Sequence, residues 1–108
     1  MNVILVEDHD GEGVFPVYKK GTLLESVESC DESEHWLSCI IDNRQIYVPD
    51  SYIDAQSRLT RDYNPTELIA KKDEVAEVLK IVHEWLYVKN QLGGFGWLPA
   101  SKTISISE

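Results

Sequence analysis

The side chains best suited to nucleophilic or metal chemistry lie between Cys30 and Cys39, with His35 among them. A histidine beside a cysteine is the pair that activates a thiol nucleophile. On one strand, residues 35 and 39 would point to the same face about 13 Å apart, which is out of hydrogen-bond reach. Zinc needs four nitrogen or sulfur ligands at recognised spacing, and this cysteine pair does not supply them. We therefore expect two reduced thiols, at least one of them packed in the interior.

Two further stretches carry patterns that are typical of ligand binding. DHDGEG at 8–13 matches the opening of a calcium loop, but Lys19 replaces the bidentate glutamate of the twelfth position. GGFG at 93–96 lacks the lysine and hydroxyl residue of a phosphate-binding loop and suits a hairpin turn instead. The sequence thus predicts no catalytic residue, no metal and no cofactor. The function that remains is binding through the protein surface.

The sequence contains an internal repeat. IYVPDSYI at 46–53 is echoed by GWLPASKT at 96–103, and three upstream landmarks recur in the same order. These landmarks are a lysine pair (Lys19-Lys20, Lys71-Lys72), an apolar run (23–27, 75–82) and a tryptophan (Trp36, Trp85). The two copies of each landmark lie 49 to 52 residues apart. Self-similarity at a fixed spacing is typical of duplicated units. The chain is therefore predicted to consist of two homologous halves.

The spacing of apolar runs and turns indicates the secondary structure of each half. Short apolar runs are separated by turn residues at roughly ten-residue intervals, which predicts an all-β fold. A helix over 65–82 is the alternative, because its Lys, Glu and Ala residues favour one and Pro65 is suited to begin it. The matching segment of the first half, 17–27, contains Gly21 and alternates poorly as a helix. We therefore favour strands in both halves.

The opening residues of each half complete a recognisable order of motifs. LVEDH at 5–9 and LTRDY at 59–63 are each followed by a loop ending in Lys-Lys, a tryptophan strand and the aromatic–aliphatic–proline motif. This order resembles that of SH3 domains, five-stranded β-barrels that in signalling proteins bind proline-rich peptides, and the resemblance covers nearly the whole chain. It implies an all-β fold of two SH3-like five-stranded β-barrels in tandem, closely linked, at residues 1–57 and 58–108.

The same resemblance implies where a ligand binds. In SH3 domains, tyrosines, a tryptophan and a proline hold a polyproline helix, while acidic loop residues pair with a flanking arginine or lysine. The corresponding candidate site residues are Glu7, Asp8, Asp10, Glu12, His35, Trp36, Pro49, Tyr52, Tyr63, Trp85 and Pro99. The four opening acids are expected to form a loop beside the face that carries His35, Pro49 and Tyr52. Both prolines are expected to begin a short helical turn, and the tryptophans are alternatively core residues.

The net charge of −9 belongs to one half of the sequence. Residues 1–57 contain twelve acidic and three basic side chains, whereas residues 58–108 contain seven of each. Nucleic acid is not expected as a partner, because phosphate binding needs clustered Lys and Arg side chains. A basic peptide or protein surface fits the acidic half, although acidic loops also serve solubility alone.

The remaining features concern location and class of function. No apolar run approaches the roughly eighteen residues of a membrane span, and MNVILVEDHD turns acidic by residue 7, so we expect a cytoplasmic protein that is not membrane-bound. The first hypothesis is a non-enzymatic protein- or peptide-binding module whose acidic first domain meets a basic partner. The second is a small acidic bacterial inhibitor or immunity-type protein that masks a basic toxin or enzyme surface. A third is a structural subunit of a homo-oligomer.

Overall fold

The computed structural model describes residues 1–11, 14–30 and 35–106. These residues form eight β-strands and two short 3₁₀ turns, so the predicted all-β class is confirmed and the helix alternative over 65–82 is wrong. The strands are β1 (Asn2–Leu5), β2 (Glu25–Ser29), β3 (Trp36–Ile41), β4 (Arg44–Pro49), β5 (Val75–Val82), β6 (Trp85–Asn90), β7 (Phe95–Pro99) and β8 (Thr103–Ile106). The 3₁₀ turns span Asp50–Tyr52 and Ala100–Lys102.

The chain divides into two compact units, and the division differs from the predicted domains 1–57 and 58–108. One unit, here called the continuous unit, contains residues 16–65. The other, here called the split unit, contains residues 1–15 and 66–108. Each half of the repeat therefore contributes to both units, because the opening segment of each half belongs to the unit formed mainly by the other half.

The split unit contains a five-stranded sheet in the order β7-β6-β5-β1-β8. β1 pairs antiparallel with both β5 and β8, so that Ile4 lies opposite Val75 on one side and Ile104 on the other. The alternating burial of β1 follows from its two-residue period and directs Val3 and Leu5 into the core. That core consists of Val3, Leu5, Ala70, Ala76, Leu86, Val88 and Leu98. The N-terminal strand is thus an inner strand of a sheet whose other strands come from the second half of the sequence.

The continuous unit contains a three-stranded antiparallel sheet in the order β2-β3-β4. Asp42 and Asn43 join β3 to β4, both at positive φ, as a two-residue hairpin turn requires. Isolated bridges add the opening segment of the second half: Tyr18 to Tyr63, Leu23 to Arg58 and Ile53 to Leu59. Among the most buried side chains are Cys39, Ile46, Val48 and Leu59. The described ladders thus form two open sheets in place of the two closed barrels that the resemblance implies.

Both units contain the same kind of hydrogen bond, from a backbone N–H of the lysine pair of one half to an aspartate in the opening segment of the other half. The Asp8 carboxylate accepts a hydrogen bond from the Lys72 backbone N–H at 2.7 Å. The Asp62 carboxylate accepts one from the Lys20 N–H at 2.8 Å. A repeat offers each opening segment two equivalent binding positions, and exchange of identical elements has a low energetic cost. In this chain each opening segment packs against the strands of the other half.

The helical turn predicted at each proline is confirmed, and in the described residues it leads into a strand, β8, after Pro99 but into an isolated bridge at Ile53 after Pro49. Pro49 and Pro99 have φ of −63° and −70° and immediately precede the two 3₁₀ turns. The fixed φ of proline suits this place, where the strand ends and the chain begins to coil. The sheet register also places Trp36 opposite Pro49, and Trp85 opposite Pro99. The tryptophan and proline landmarks of the repeat are therefore direct cross-strand neighbours.

Among the described residues, no helix has the length and apolar character needed to cross a membrane.

The exchange predicts that the halves cannot fold separately. Residues 58–108 alone lack β1 and with it the buried Val3 and Leu5, worth about 1.5–3 kcal/mol each. Residues 1–57 alone lack the buried Leu59 and Tyr63. We expect either fragment alone to give a collapsed amide NMR spectrum and an equimolar mixture to give the dispersed spectrum of the whole chain. A 1–57 fragment with Leu5→Asp is the control that should not complement. Cooperative folding of either fragment alone would contradict the exchange.

Candidate functional site

The structure distributes the predicted site residues over both units. Glu7, Asp8 and Asp10 are exposed and belong to the split unit, together with Trp85 and Pro99. The continuous unit contains the others: His35, Trp36, Pro49, Tyr52 and Tyr63. Glu12 lies outside the described residues. The predicted site places the opening acids beside His35, Pro49 and Tyr52. In the structure the described acids and these three residues belong to different units.

In the continuous unit, the two tyrosines of the predicted site are interior residues. Tyr52 and Tyr63 are 4% and 3% exposed, and their rings meet edge to face with centroids 5.5 Å apart. The Tyr63 hydroxyl donates a hydrogen bond to the Tyr47 carbonyl oxygen at 2.6 Å. The Arg61 guanidinium lies 4.3 Å from the centre of the Tyr52 ring. Both tyrosine rings are therefore in contact with other side chains of the continuous unit, and these contacts stabilise it.

The other predicted residues of the continuous unit are divided between core and surface. Trp36 and Pro49 are buried, in keeping with the alternative that this tryptophan is a core residue. His35 and Asp50 are exposed, and the His35 Nδ1 atom lies 3.1 Å from a carboxylate oxygen of Asp50. Cys39 is fully buried, and burial raises the pKa of its thiol to about 11. Cys39 is therefore held as a thiol at neutral pH, which does not suit a nucleophile.

In the split unit, β6 and β7 present a partly exposed aromatic face. Leu86, Val88 and Leu98 point to the core, so the alternation of a strand places their neighbours on the opposite side. We call this side the aromatic face; it contains Trp85, Tyr87, Phe95, Trp97 and Pro99. The Tyr87 ring lies 5.1 Å from Trp97 and 6.4 Å from Phe95. Trp97 is buried, whereas Trp85, Tyr87 and Pro99 are half-buried and Phe95 is exposed.

His9 supports the aromatic face and was missed as a site residue by sequence reasoning. It is 6% exposed, and its ring meets Trp85 edge on at 6.0 Å. Its Nδ1 lies 2.8 Å from the Leu68 carbonyl oxygen, and its Nε2 lies 3.5 Å from a Glu67 carboxylate oxygen. The sequence pattern that could have identified His9 is the alignment of LVEDH with LTRDY, which places His9 at the position of Tyr63. Both rings are buried parts of an opening segment.

The segment 66–68 covers the edge of β7 beside this face. The Trp97 N–H donates to the Thr66 carbonyl at 2.8 Å, and the Trp97 carbonyl accepts from the Leu68 N–H at 3.1 Å. A Cβ atom added to Gly96 would lie 2.8 Å from the Thr66 carbonyl oxygen, so only glycine fits this approach. Trp97 is therefore fixed in place, and the partly exposed side chains of the aromatic face are Trp85, Tyr87, Phe95 and Pro99.

The charge distribution of the folded units differs from that of the sequence halves. The split unit contains ten acidic and five basic side chains, for a net charge of −5. The continuous unit contains nine acidic and five basic side chains, for a net charge of −4. The acidic first half and the neutral second half of the sequence thus do not coincide with the folded units, because the exchange moves the acidic opening segment into the split unit.

The chain has no match among protein-family models, curated proteins or solved structures.

The contact between Asp62 and the first lysine pair makes stability depend on pH. The Lys20 backbone N–H, with the Lys19 side chain 3.7 Å away, lowers the pKa of Asp62. A carboxyl with a lowered pKa in the folded state stabilises above its unfolded value of about 3.9, and this stabilisation is lost as the pH falls through the folded value. We expect Asp62→Asn to lower the urea midpoint at pH 7, and this deficit to shrink as the pH falls through the lowered pKa of Asp62. Asp42→Asn, which removes the same charge from the β3–β4 turn, is the control. An Asp62→Asn deficit that is equally large in acid would contradict this account.

Proposed function

We propose that the protein is a non-enzymatic, cytoplasmic binding module of SH3-like type whose split unit binds a basic peptide or protein segment. One observation carries the proposal: the exchange places the exposed acids Glu7 and Asp10 in the same unit as the half-buried Trp85 and Pro99. Acidic residues and an aromatic–proline surface are the two parts that the resemblance to SH3 domains predicts for a ligand site. In this chain the two parts come from different halves of the repeat.

The SH3-like assignment is supported by the order of elements in each unit. Both contain an opening segment, a tryptophan strand paired with a proline strand, and a 3₁₀ turn after the proline. We infer that the two units are SH3-like folds that have exchanged their opening segments. Tyr52 and Tyr63, the two candidate tyrosines of the continuous unit, are buried, which favours the split unit as the ligand-binding one.

The two parts of the proposed site have different physical roles. Exposed carboxylates attract a basic segment over a Debye length of about 8–10 Å and mainly raise the association rate. Half-buried rings such as Trp85 and Tyr87 lose their remaining contact with water when a ligand covers them, which slows dissociation. Salt should therefore weaken binding through the acids and leave the contribution of the rings nearly unchanged.

A second candidate function is that of a small acidic inhibitor that masks a basic toxin or enzyme surface. The observation that favours it is the nearly equal net charge of the units, −5 and −4, which provides negative charge on both. In that case binding would depend on acids of both units and would not require the aromatic face.

We expect a proline-rich peptide containing arginine to shift the Trp85 indole resonance in a ¹H–¹⁵N titration, and the indole of the buried Trp36 to stay in place. Trp85→Ala should weaken binding of this probe by roughly five- to thirtyfold, as loss of a ring contact worth about 1–2 kcal/mol implies. Leu92→Ala, which truncates a side chain 97% exposed in the β6–β7 turn, is the matched control. Failure of the probe to shift Trp85 at millimolar concentration would contradict the proposed peptide site.

A pair of charge variants separates the two candidate functions. Glu7→Gln with Asp10→Asn removes two carboxylates from the split unit, and Glu25→Gln with Glu28→Gln removes two exposed ones from β2 of the continuous unit. The proposed site predicts that only the first pair slows association at low salt. Equal slowing by both pairs would favour the inhibitor function.

A further inference from the structure

The outer edge of β8 is an unprotected strand edge in the described part of the split unit. β8 has β1 as its hydrogen-bonded neighbour on one side and stands at the end of the strand order. Its four residues, Thr103 to Ile106, include no charged residue, no proline and no glycine. Ile104 is 56% exposed and Ser105 is exposed. Proteins usually protect such edges with charges, prolines, bulges or a covering segment, and residues 1–11, 14–30 and 35–106 supply none of these to β8.

The register identifies which backbone groups of β8 point outward. The Val6 N–H donates to the Lys102 carbonyl, so residues 102 and 104 are hydrogen-bonded to β1, and residues 103 and 105 alternate with them. The N–H and C=O of Ser105 and the C=O of Thr103 therefore point away from β1. The Thr103 N–H is already bonded to the Ala100 carbonyl. One donor and two acceptors thus remain on the outer side of β8.

Two other outer strands differ from β8 in this respect. β7 is covered at Trp97 by hydrogen bonds to Thr66 and Leu68. β2 carries Glu25 and Glu28, so pairing β2 with its own copy would bring four carboxylates together. Like charges at such positions are destabilising. β8 can therefore pair with an identical strand without charge repulsion along its length.

We propose that β8 pairs antiparallel with β8 of a second copy of this chain and forms a two-fold symmetric dimer. This inference is independent of the proposed peptide site. With Ile104 facing its own copy, the Ser105 N–H of each chain donates to the Thr103 carbonyl of the other. The central residue of an antiparallel two-fold pair meets itself, which an isoleucine tolerates and a charged residue does not. Lys102 then lies opposite Ile106 of the copy, so the lysines do not face each other.

The apolar row on this side of the sheet continues across the proposed two-fold axis. Ile104, Ile4 and Val75 lie side by side on β8, β1 and β5, and the copy adds the same three residues. A four-residue strand buries far less than the roughly 1,200–2,000 Å² of a tight interface. We therefore expect association that is weak and reversible, with the dimer populated only at high protein concentration.

The test is sedimentation equilibrium of the whole chain at moderate salt, over concentrations up to the solubility limit. The apparent mass should rise from 12.3 kDa toward twice that value. Ser105→Pro removes the outward donor without touching the bonds to β1, and edge strands tolerate proline at such positions, so it should abolish the rise. Ile104→Lys should do the same. Ile81→Lys, at a residue 62% exposed on β5, introduces the same charge away from the edge and should associate like the parent.

Each opposite result overturns the proposal. A mass of 12.3 kDa at every concentration would do so, as would unchanged association of a folded Ser105→Pro variant. Equal loss of association in both lysine variants would assign the effect to net charge and not to β8. Thermal unfolding of each variant establishes that it is folded, and if Ser105→Pro unfolds, Ile104→Lys against Ile81→Lys decides the question alone.

Discussion

β1 lies between β5 and β8, and the five-stranded sheet depends on this insertion. Two of its four residues, Val3 and Leu5, are buried, and together they contribute about 3–6 kcal/mol of hydrophobic stabilisation. That amount is comparable with the whole stability of a small domain, about 5–15 kcal/mol. The reciprocal insertion of Leu59 and Tyr63 into the continuous unit has the same consequence there. Each unit therefore requires a segment that the sequence places in the other half.

The exchange also determines the chemistry of the surface. It carries Glu7, Asp8 and Asp10 away from the half that encodes them and into the unit that contains Trp85 and Pro99. It likewise carries Tyr63 into the continuous unit, where its hydroxyl satisfies the Tyr47 carbonyl and its ring covers Tyr52. These contacts bury Tyr52 and Tyr63 in the continuous unit. In the split unit, Trp85 and Tyr87 remain half-buried. The difference in ligand binding that we propose between the two units would follow from which opening segment each of them receives.

The features that the sequence predicts well are those determined by local contacts. The short strands follow from the spacing of apolar runs and turn residues, and the 3₁₀ turn after each proline follows from the fixed φ of proline. The unit boundaries were not predictable in this way, because LVEDH and LTRDY each fit two equivalent positions. The choice depends on partners such as the Leu68 carbonyl of His9 and the Tyr47 carbonyl of Tyr63, which no sequence pattern marks. The site prediction assigned residues to units by their order in the chain, and its residues therefore lie in both folded units.

The most direct test of the exchange is a long-range HNCO experiment, which detects coupling across individual backbone hydrogen bonds. The structure predicts a correlation from the His9 N–H to the Ala70 carbonyl, for a bond of 2.7 Å, and from the Tyr18 N–H to the Tyr63 carbonyl, for a bond of 2.8 Å. Two independent tandem domains would instead pair each opening segment within its own half. Correlations that link His9 with Tyr18, and Tyr63 with Ala70, would contradict the exchange and with it the assignment of the acidic segment to the unit of Trp85.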